Sequence, residues 1–413
     1  MSVRVLQPRR PWEGRRVVLG ITGGIAAYKS VQIARDLIRL GARVDVIMSS
    51  GALRFLQPLS LRGVTGREVY TDMFEGSGPA AHIRLGLEAE CVVVAPATAN
   101  FLARAAQGAA SDLLTTTLLV TRAPVILCPA MNDRMYSHSQ TQENLRHLGE
   151  AIGYQIIGPG RGPLAYGEGT GHGRMLESEE IIQHVGRALG SESPWEGRQV
   201  VVTAGPTREP LDPVRFLGNR SSGRMGFALA SAAWRRGASV TLVSGPSALS
   251  DPPGVDVVRV ETGEEMGDQV HASLPQADVL IFAAAVSDFR PEDASDQKLK
   301  RSRKGEGIEV RLAPTPDIAL STLEGRKTGA VALGFALETQ DLLSNARKKL
   351  KEKGFHLIAA NSASETDAGF DVDTNRVTIL DTDGGVEELP VLPKEDVAEK
   401  LLDRLTRFLQ DGA

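Results

Sequence analysis

Residues Thr203–Gly226 read TAGPTREPLDPVRFLGNRSSGRMG, and the apolar run Val200-Val201-Val202 stands directly before them. The run predicts a buried strand from Val200 to Thr203, the stretch after it a long polar loop, and Met225–Arg236 a helix. Glycine, serine, asparagine and arginine in such a loop offer backbone N–H groups and cationic forks, and a helix N-terminus beyond it favours anions. The stretch is therefore a place to hold phosphates. Strand, glycine turn and helix in that order open a β–α–β unit of a parallel sheet, which puts the chain in the α/β class.

Working outward, the strand is preceded by Pro194-Trp195-Glu196-Gly197-Arg198, and the same five residues recur as Pro11-Trp12-Glu13-Gly14-Arg15 before RVVLGITGG. Both copies lead into a buried strand and a glycine turn, so we read them as the openings of two α/β domains, 1–190 and 191–413. A length of 413 residues agrees with two domains at roughly 150 residues each. The chain carries 47 basic and 51 acidic residues, a net charge of −4, which leaves no electrostatic footprint for nucleic acid or an anionic membrane. Small-molecule chemistry is expected instead. Cys91 and Cys128 each flank an apolar run and read as core thiols rather than a disulfide. No apolar run approaches the ~18 residues of a membrane span, and the basic N-terminal segment lacks an apolar core of the signal type. A soluble, cytoplasmic protein is the expectation.

In the first half, Val17–Ile21 predicts a strand, Thr22-Gly23-Gly24 a tight turn, Ala26–Leu40 a helix and Arg43–Met48 the next strand. Cys91–Ala95 and Val125–Pro129 predict further strands, ending in Pro96-Ala97-Thr98-Ala99-Asn100 and Pro129-Ala130-Met131-Asn132. Ligands of open α/β sheets gather at the carboxyl ends of strands, so these loops should converge. The glycine-rich stretch GPGRGPLAYGEGTGHG, 158–173, predicts a mobile flap over a site or an unconstrained surface loop. A helix from about Ser178 to Leu189 closes the half. In the second half the alternation of strands and helices resumes, interrupted between Arg290 and Gly307 by a segment containing Lys298, Lys300, Arg301, Arg303 and Lys304. By charge alone that segment reads as a solvated loop.

The ordered motifs GITGGIAAYK, AHIRLG, APATAN and PAMNDRMY in the first half resemble the flavin-dependent phosphopantothenoylcysteine decarboxylase family. The 203–226 stretch resembles, almost residue for residue, the signature of phosphopantothenate–cysteine ligase, the carboxyl-terminal half of the bifunctional coenzyme A biosynthesis flavoprotein. The resemblance implies an FMN-binding, flavodoxin-like or Rossmann-like parallel-sheet domain followed by a Rossmann-like ligase domain. It assigns FMN to Thr22, Gly23, Gly24, Ser49, Thr98, Ala99 and Asn100, the active-site base to His82, and the grip on the substrate carboxylate to Asn132. In the implied reaction the cysteinyl thiol is oxidised to a thioaldehyde, CO2 departs, and the enethiolate takes back a hydride and a proton. The family's flap carries Ala-Cys-Gly where this chain has Ala165-Tyr166-Gly167, with one extra residue before Arg174-Met175. Tyr166 is the candidate proton donor in its place and His172 a weaker one. A half that is inactive or stops at the enethiol, and a flavin-binding module without turnover, are the alternatives.

For the ligase, the resemblance implies activation of 4′-phosphopantothenate by CTP and Mg2+ as an acyl-cytidylate, from which the amine of L-cysteine displaces CMP. Asn219 would hold the acyl-cytidylate, with Arg215, Ser221, Ser222 and Gly223 around the phosphates and Asp288 at the nucleotide and its metal. Lys298 matches the lysine of a loop that closes over the intermediate. Pro316, Asp317, Ile318, Ala319 and Phe335 match cytidine-contacting motifs, and Lys349 and Lys353 the triphosphate-binding lysines. Trimeric decarboxylase contacts and dimeric ligase contacts are implied as well, hence a homo-oligomer, a dodecamer in the family's pattern.

Overall fold

Buried β-branched runs build both sheets of this chain, and in both the first strand is central. A computed structural model describes residues 10–74, 80–190, 193–300, 309–338, 340–362 and 372–411; Arg301, Arg303 and Lys304 lie outside them. The chain divides into two units, Met1–Leu189 and Gly190–Ala413.

The first unit runs β1 (Arg16–Ile21), α1 (Lys29–Arg39), β2 (Arg43–Met48), α2 (Pro58–Thr65), β3 (Val69–Tyr70), α3 (Ala81–Glu88), β4 (Cys91–Ala97), α4 (Ala99–Ala106), α5 (Leu113–Val120), β5 (Val125–Pro129), α6 (Asp133–Ser137), α7 (Ser139–Arg146), β6 (Gln155–Ile156), β7 (Gly160–Pro163), β8 (Thr170–Arg174) and α8 (Ser178–Leu189). Its six-stranded sheet has the order β3-β2-β1-β4-β5-β6, and every pairing in it is parallel. The strands read as continuous apolar runs because helices cover both faces. One core cluster joins Val17, Leu19 and Ile21 to α1 and α8, and the other joins Val18, Val92 and Val94 to α3, α4 and α5. The helix expected from Ala26 starts as a 3₁₀ turn, Ile25–Tyr28, before α1 takes over at Lys29. The glycine-rich stretch is an antiparallel hairpin, β7 against β8, rather than an open loop.

The second unit runs β9 (Gln199–Ala204), β10 (Arg208–Pro210), β11 (Phe216–Gly218), α9 (Arg224–Arg235), β12 (Ser239–Ser244), β13 (Asp256–Arg259), α10 (Gly263–Ser273), β14 (Val279–Phe282), β15 (Phe289–Pro291), β16 (Leu312–Pro314), α11 (Ile318–Ser321), β17 (Val331–Glu338), α12 (Leu342–Glu352), β18 (Leu357–Ser362), β19 (Thr374–Asn375), β20 (Thr378–Asp381), β21 (Val386–Glu388), β22 (Leu392–Pro393) and α13 (Lys394–Asp411). Its sheet has the order β13-β12-β9-β14-β17-β18-β20-β21. It is parallel through β18, and the last two strands are antiparallel. The first six strands repeat the order of the first unit. In both units the chain reverses its winding beside the first strand, where an α/β crevice opens. The long loop expected after β9 contains a short hairpin, β10–β11.

The repeated pentapeptide does the same work twice. Trp12 donates its amide to Leu40 O and Gly14 to Gly41 O, while Gly197 donates to Gly237 O. Each copy thus bolts the turn between the first helix and second strand to the base of the first strand, with Trp12 and Trp195 buried. Among the described residues no helix is long and apolar enough to cross a membrane.

Candidate active sites

The winding reversal of the first unit lies between β1 and β4, and Thr22 closes it. Its hydroxyl donates to Pro96 O (2.7 Å) and accepts from Thr98 N (3.1 Å), tying the glycine turn to the PATAN loop. Thr98 caps α4. At Gly23 a Cβ would stand 2.6 Å from the carbonyl carbon of Gly51, so only glycine lets these two turns approach. Gly24 precedes the 3₁₀ turn with no side-chain cap, leaving amides directed at the space in front of it.

That space is a cavity of about 810 Å³, lined among others by Thr22, Gly23, Gly24, Ser49, Thr98, Ala99, Asn100 and Asn132. All seven residues expected at FMN therefore meet, and Asn132 meets them. Asn132 Oδ1 caps α6 by accepting from Arg134 N (2.9 Å), so its NH2 end is the one that suits a carboxylate. Lys29, also on the wall, donates to Glu177 (2.8 Å) and Met175 O (3.1 Å). That lysine, joined by Arg174, holds the Glu177 carboxyl below the usual range against the opposing effect of burial. Leu164, Ala165 and Glu168 of the hairpin reach the wall.

Three expected residues are not on it. Tyr166 is fully exposed at the hairpin tip, His172 is exposed on β8, and His82 is in the first turn of α3; none of them lines this cavity. His82 Nδ1 is nonetheless buried without a hydrogen-bond partner. Neither cysteine stands in for the family's flap thiol: both are buried, and burial pushes the Cys91 thiol up to about 12 and the Cys128 thiol further. The residues present fit a flavin nucleotide. A glycine cradle, uncapped amides and a hydroxyl pair face a space of sufficient size with an apolar share of wall from Ile25, Ala26 and Met131.

The second cavity, about 520 Å³, opens beside β9 and β14. Asn219, Ser221, Ser222, Gly223, Asp288, Pro316, Asp317, Ile318, Ala319, Phe335 and Lys353 line it. Gly223 takes φ +81 as N-cap of α9, a left-handed conformation that glycine adopts without strain, and no side chain caps the helix there. Both amide hydrogens of Asn219 are spent on the carbonyls of Ala285 (3.2 Å) and Val286 (2.9 Å), which fixes the side chain. Lys353 pairs with Asp317 at 2.7 Å. Burial opposes ionisation of Asp317, but Lys353 and the Leu320 amide outweigh it and the carboxyl titrates below its ordinary range.

Arg215, Lys298 and Lys349 do not line this cavity. Lys349 pairs with Glu338 at 2.7 Å, and Arg215 donates to Leu299 O at 2.8 Å. The sequence reading missed Asn361, Asn375 and Lys394, which do line it. Asn375 is 4% exposed, and its Oδ1 is buried without a partner. No motif marks these three; the signal available was only the strand end at Asn361 and the polar pair before the last hairpin.

Two Rossmann-ordered sheets, each with a glycine turn and a polar cavity where the winding reverses, define a two-site α/β protein of the nucleotide-binding class. A family model for the DNA/pantothenate metabolism flavoprotein C-terminal domain matches residues 195–409, and one for flavoproteins matches residues 6–190. The coenzyme A biosynthesis bifunctional protein CoaBC of Bacillus subtilis (strain 168) is 43% identical over 396 residues, covering 95% of this chain and 96% of its own. That of Escherichia coli (strain K12) is 42% identical over 399 residues, covering 96% and 98%. A crystal structure of the C-terminal domain of CoaBC is 38% identical, covers 53% of this chain and 100% of its own, and superposes with a TM-score of 0.46. The chain belongs to the CoaBC family of bifunctional coenzyme A biosynthesis enzymes, with a flavoprotein decarboxylase domain and a ligase domain.

Proposed function

We propose that the second unit joins 4′-phosphopantothenate to L-cysteine, using CTP and Mg2+, and that the first unit decarboxylates the product to 4′-phosphopantetheine with FMN. The observation that carries the reading is the meeting of Asn219, the Ser221–Gly223 turn, Asp288 and Pro316–Ala319 around one cavity. A carboxylate is a poor electrophile until its oxygen joins a good leaving group, so the acid first attacks the α-phosphorus of CTP, giving an acyl-cytidylate and pyrophosphate, and the amine of cysteine then displaces CMP. The uncapped α9 amides suit the phosphates. Asp288 would hold the metal together with the nucleotide, and Asn219 would orient the acyl-cytidylate through its remaining oxygen. Lys298 stabilises charge on the transferred phosphoryl group as its segment closes. Arg215 and Lys349 act at the rim, and Lys353 exchanges Asp317 for phosphate when nucleotide binds.

In the first unit Thr22, Gly23, Gly24, Ser49, Thr98, Ala99 and Asn100 would hold FMN, which supplies a two-electron acceptor and donor. Asn132 orients the substrate carboxylate and His82 moves the proton. Because His82 does not line the cavity of its own chain, the reading has a second copy deliver it. Exposed apolar residues support such association: Ile25 and Tyr28 on the cavity wall, and Phe55, Leu59, Ile83 and Leu87 elsewhere on the unit. Trimeric contacts of this unit, dimeric contacts of the other, a dodecamer and a cytoplasmic location belong to the same proposal.

A second reading has the first unit stop at the enethiol, or remain inactive, and the exposed position of Tyr166 favours it. Mass spectrometry of products from 4′-phosphopantothenate, cysteine, CTP and Mg2+ decides between them: 4′-phosphopantetheine supports two working halves, the enethiol or 4′-phosphopantothenoylcysteine the second reading. Asn219→Asp and Lys298→Gln are each expected to stop net amide formation with FMN still bound. Undiminished ligation in both overturns the ligase assignment.

A further inference from the structure

Asp212 is a carboxylate taken out of water, 3% exposed, in a turn that touches no wall of either cavity. Such a charge needs several donors. Its Oδ1 accepts from Val214 N and Arg215 N, both at 2.8 Å, an arrangement that rigidifies the turn between β10 and β11. Its Oδ2 accepts from Leu299 N at 3.1 Å. The carbonyl of that same Leu299 accepts from Arg215 Nη2 at 2.8 Å, and Arg215 Nε lies 3.7 Å from Asp212 Oδ2. Ser295 N donates to Leu211 O at 3.0 Å, so the segment is fastened to the turn a second time. Burial opposes ionisation of Asp212, yet these backbone donors and the guanidinium hold its carboxyl below the usual range.

Both backbone polar groups of the residue after Lys298 are thus held by two side chains of the signature turn. We propose that Asp212 and Arg215 form a clamp that sets where Lys298 can reach, making Asp212 a positioning residue for ligation. The inference rests on the ligase reading above and deepens it. It also gives Arg215 work away from the cavity wall. The clamp holds the backbone next to Lys298 in one register, and the exposed lysine side chain reaches out from that fixed point. Loss of the anchor leaves the ammonium intact but misplaced, and a displacement of about 1 Å costs on the order of 10²-fold in rate.

The test is a double-mutant cycle in the whole chain, reading kcat and KM for ligation with melting temperature as a control. Asp212→Ala is expected to lower kcat by about 10²-fold while KM for CTP changes little. In the Lys298→Gln background, which makes no net amide, the same substitution is read by pyrophosphate release from CTP and should cost nothing further, because the residue it positions is already gone. Multiplying losses would overturn the clamp, as would an unchanged kcat in Asp212→Ala. If the alanine variant melts early, Asp212→Asn carries the same cycle, since it keeps the shape and gives up one of the accepted bonds. A purely structural role would move the melting temperature and leave kcat per folded molecule alone. Full activity of Lys298→Gln alone would also overturn the clamp, whereas full activity of both Lys298→Gln and Asn219→Asp would fail the ligase reading, so the two failures are distinguishable.

Discussion

At the scale of single residues, the motifs named residues that end side by side on a cavity wall better than residues that reach such a wall from far along the chain. The seven residues expected at FMN share one wall because they end three neighbouring parallel strands, and strand ends are legible in sequence. Asn375 and Lys394 reach the second cavity from β19 and α13, far along the chain from the signature turn. Only the fold brings them there, and no spacing rule encodes it. Tyr166 marks the opposite limit: its place in the motif was plain, but its side chain stands in solvent. If the hairpin swings it over the cavity, its hydroxyl replaces the family's thiol. Tyr166→Phe is then expected to make the enethiol accumulate in a single-turnover assay followed by mass spectrometry. Unchanged formation of 4′-phosphopantetheine would remove Tyr166 from the mechanism.

At the scale of elements, helices and long strands were legible from apolar periodicity, and the hairpins β7–β8 and β10–β11 were not. β10 and β11 have three residues each and sit among prolines and glycines, so nothing alternates long enough to announce them. Pairing between elements was equally hidden. α9 and α13 are joined by Glu399, which accepts from Arg235 (2.6 Å) and Arg236 (2.7 Å). Burial opposes its ionisation, but the two guanidinium charges prevail and its carboxyl falls from 4.5 to about 2. A carboxyl depressed on folding contributes stability that is complete above its unfolded value and lost as pH falls toward its folded one. That contribution is about 3 kcal/mol, present above pH ~4.5 and fading toward pH ~2. Glu399→Gln should therefore destabilise the second unit by about 3 kcal/mol near neutrality, because Arg235 and Arg236 each lose an ion pair there, although Arg236 keeps Asp403. The gap from the parent should narrow in denaturant melts taken below pH ~4.5.

At the scale of the whole molecule, each unit has its own pair of core clusters and its own cavity. The repeated pentapeptide stands before the first strand of each unit, but the strand order the units share was not legible in it, since strand order depends on pairings that five residues do not specify. Separate cores and separate ligands predict two calorimetric transitions. Added FMN should raise one, and CTP with Mg2+ the other, each by about 2.7 kcal/mol at a hundred times the dissociation constant. A single transition raised by both ligands would show the units unfold as one.

The pentapeptide bolts also give those transitions separate optical signals. Tryptophan occurs at positions 12, 195 and 234 alone, so Trp12 is the single indole of the first unit, buried at the foot of β1. Six residues of strand, roughly 20 Å, separate it from the glycine turn at the other end. With Trp195 and Trp234 replaced by Phe, its emission becomes a reporter of one unit only, and flavin loading at the far end of the strand can be followed as quenching of that light.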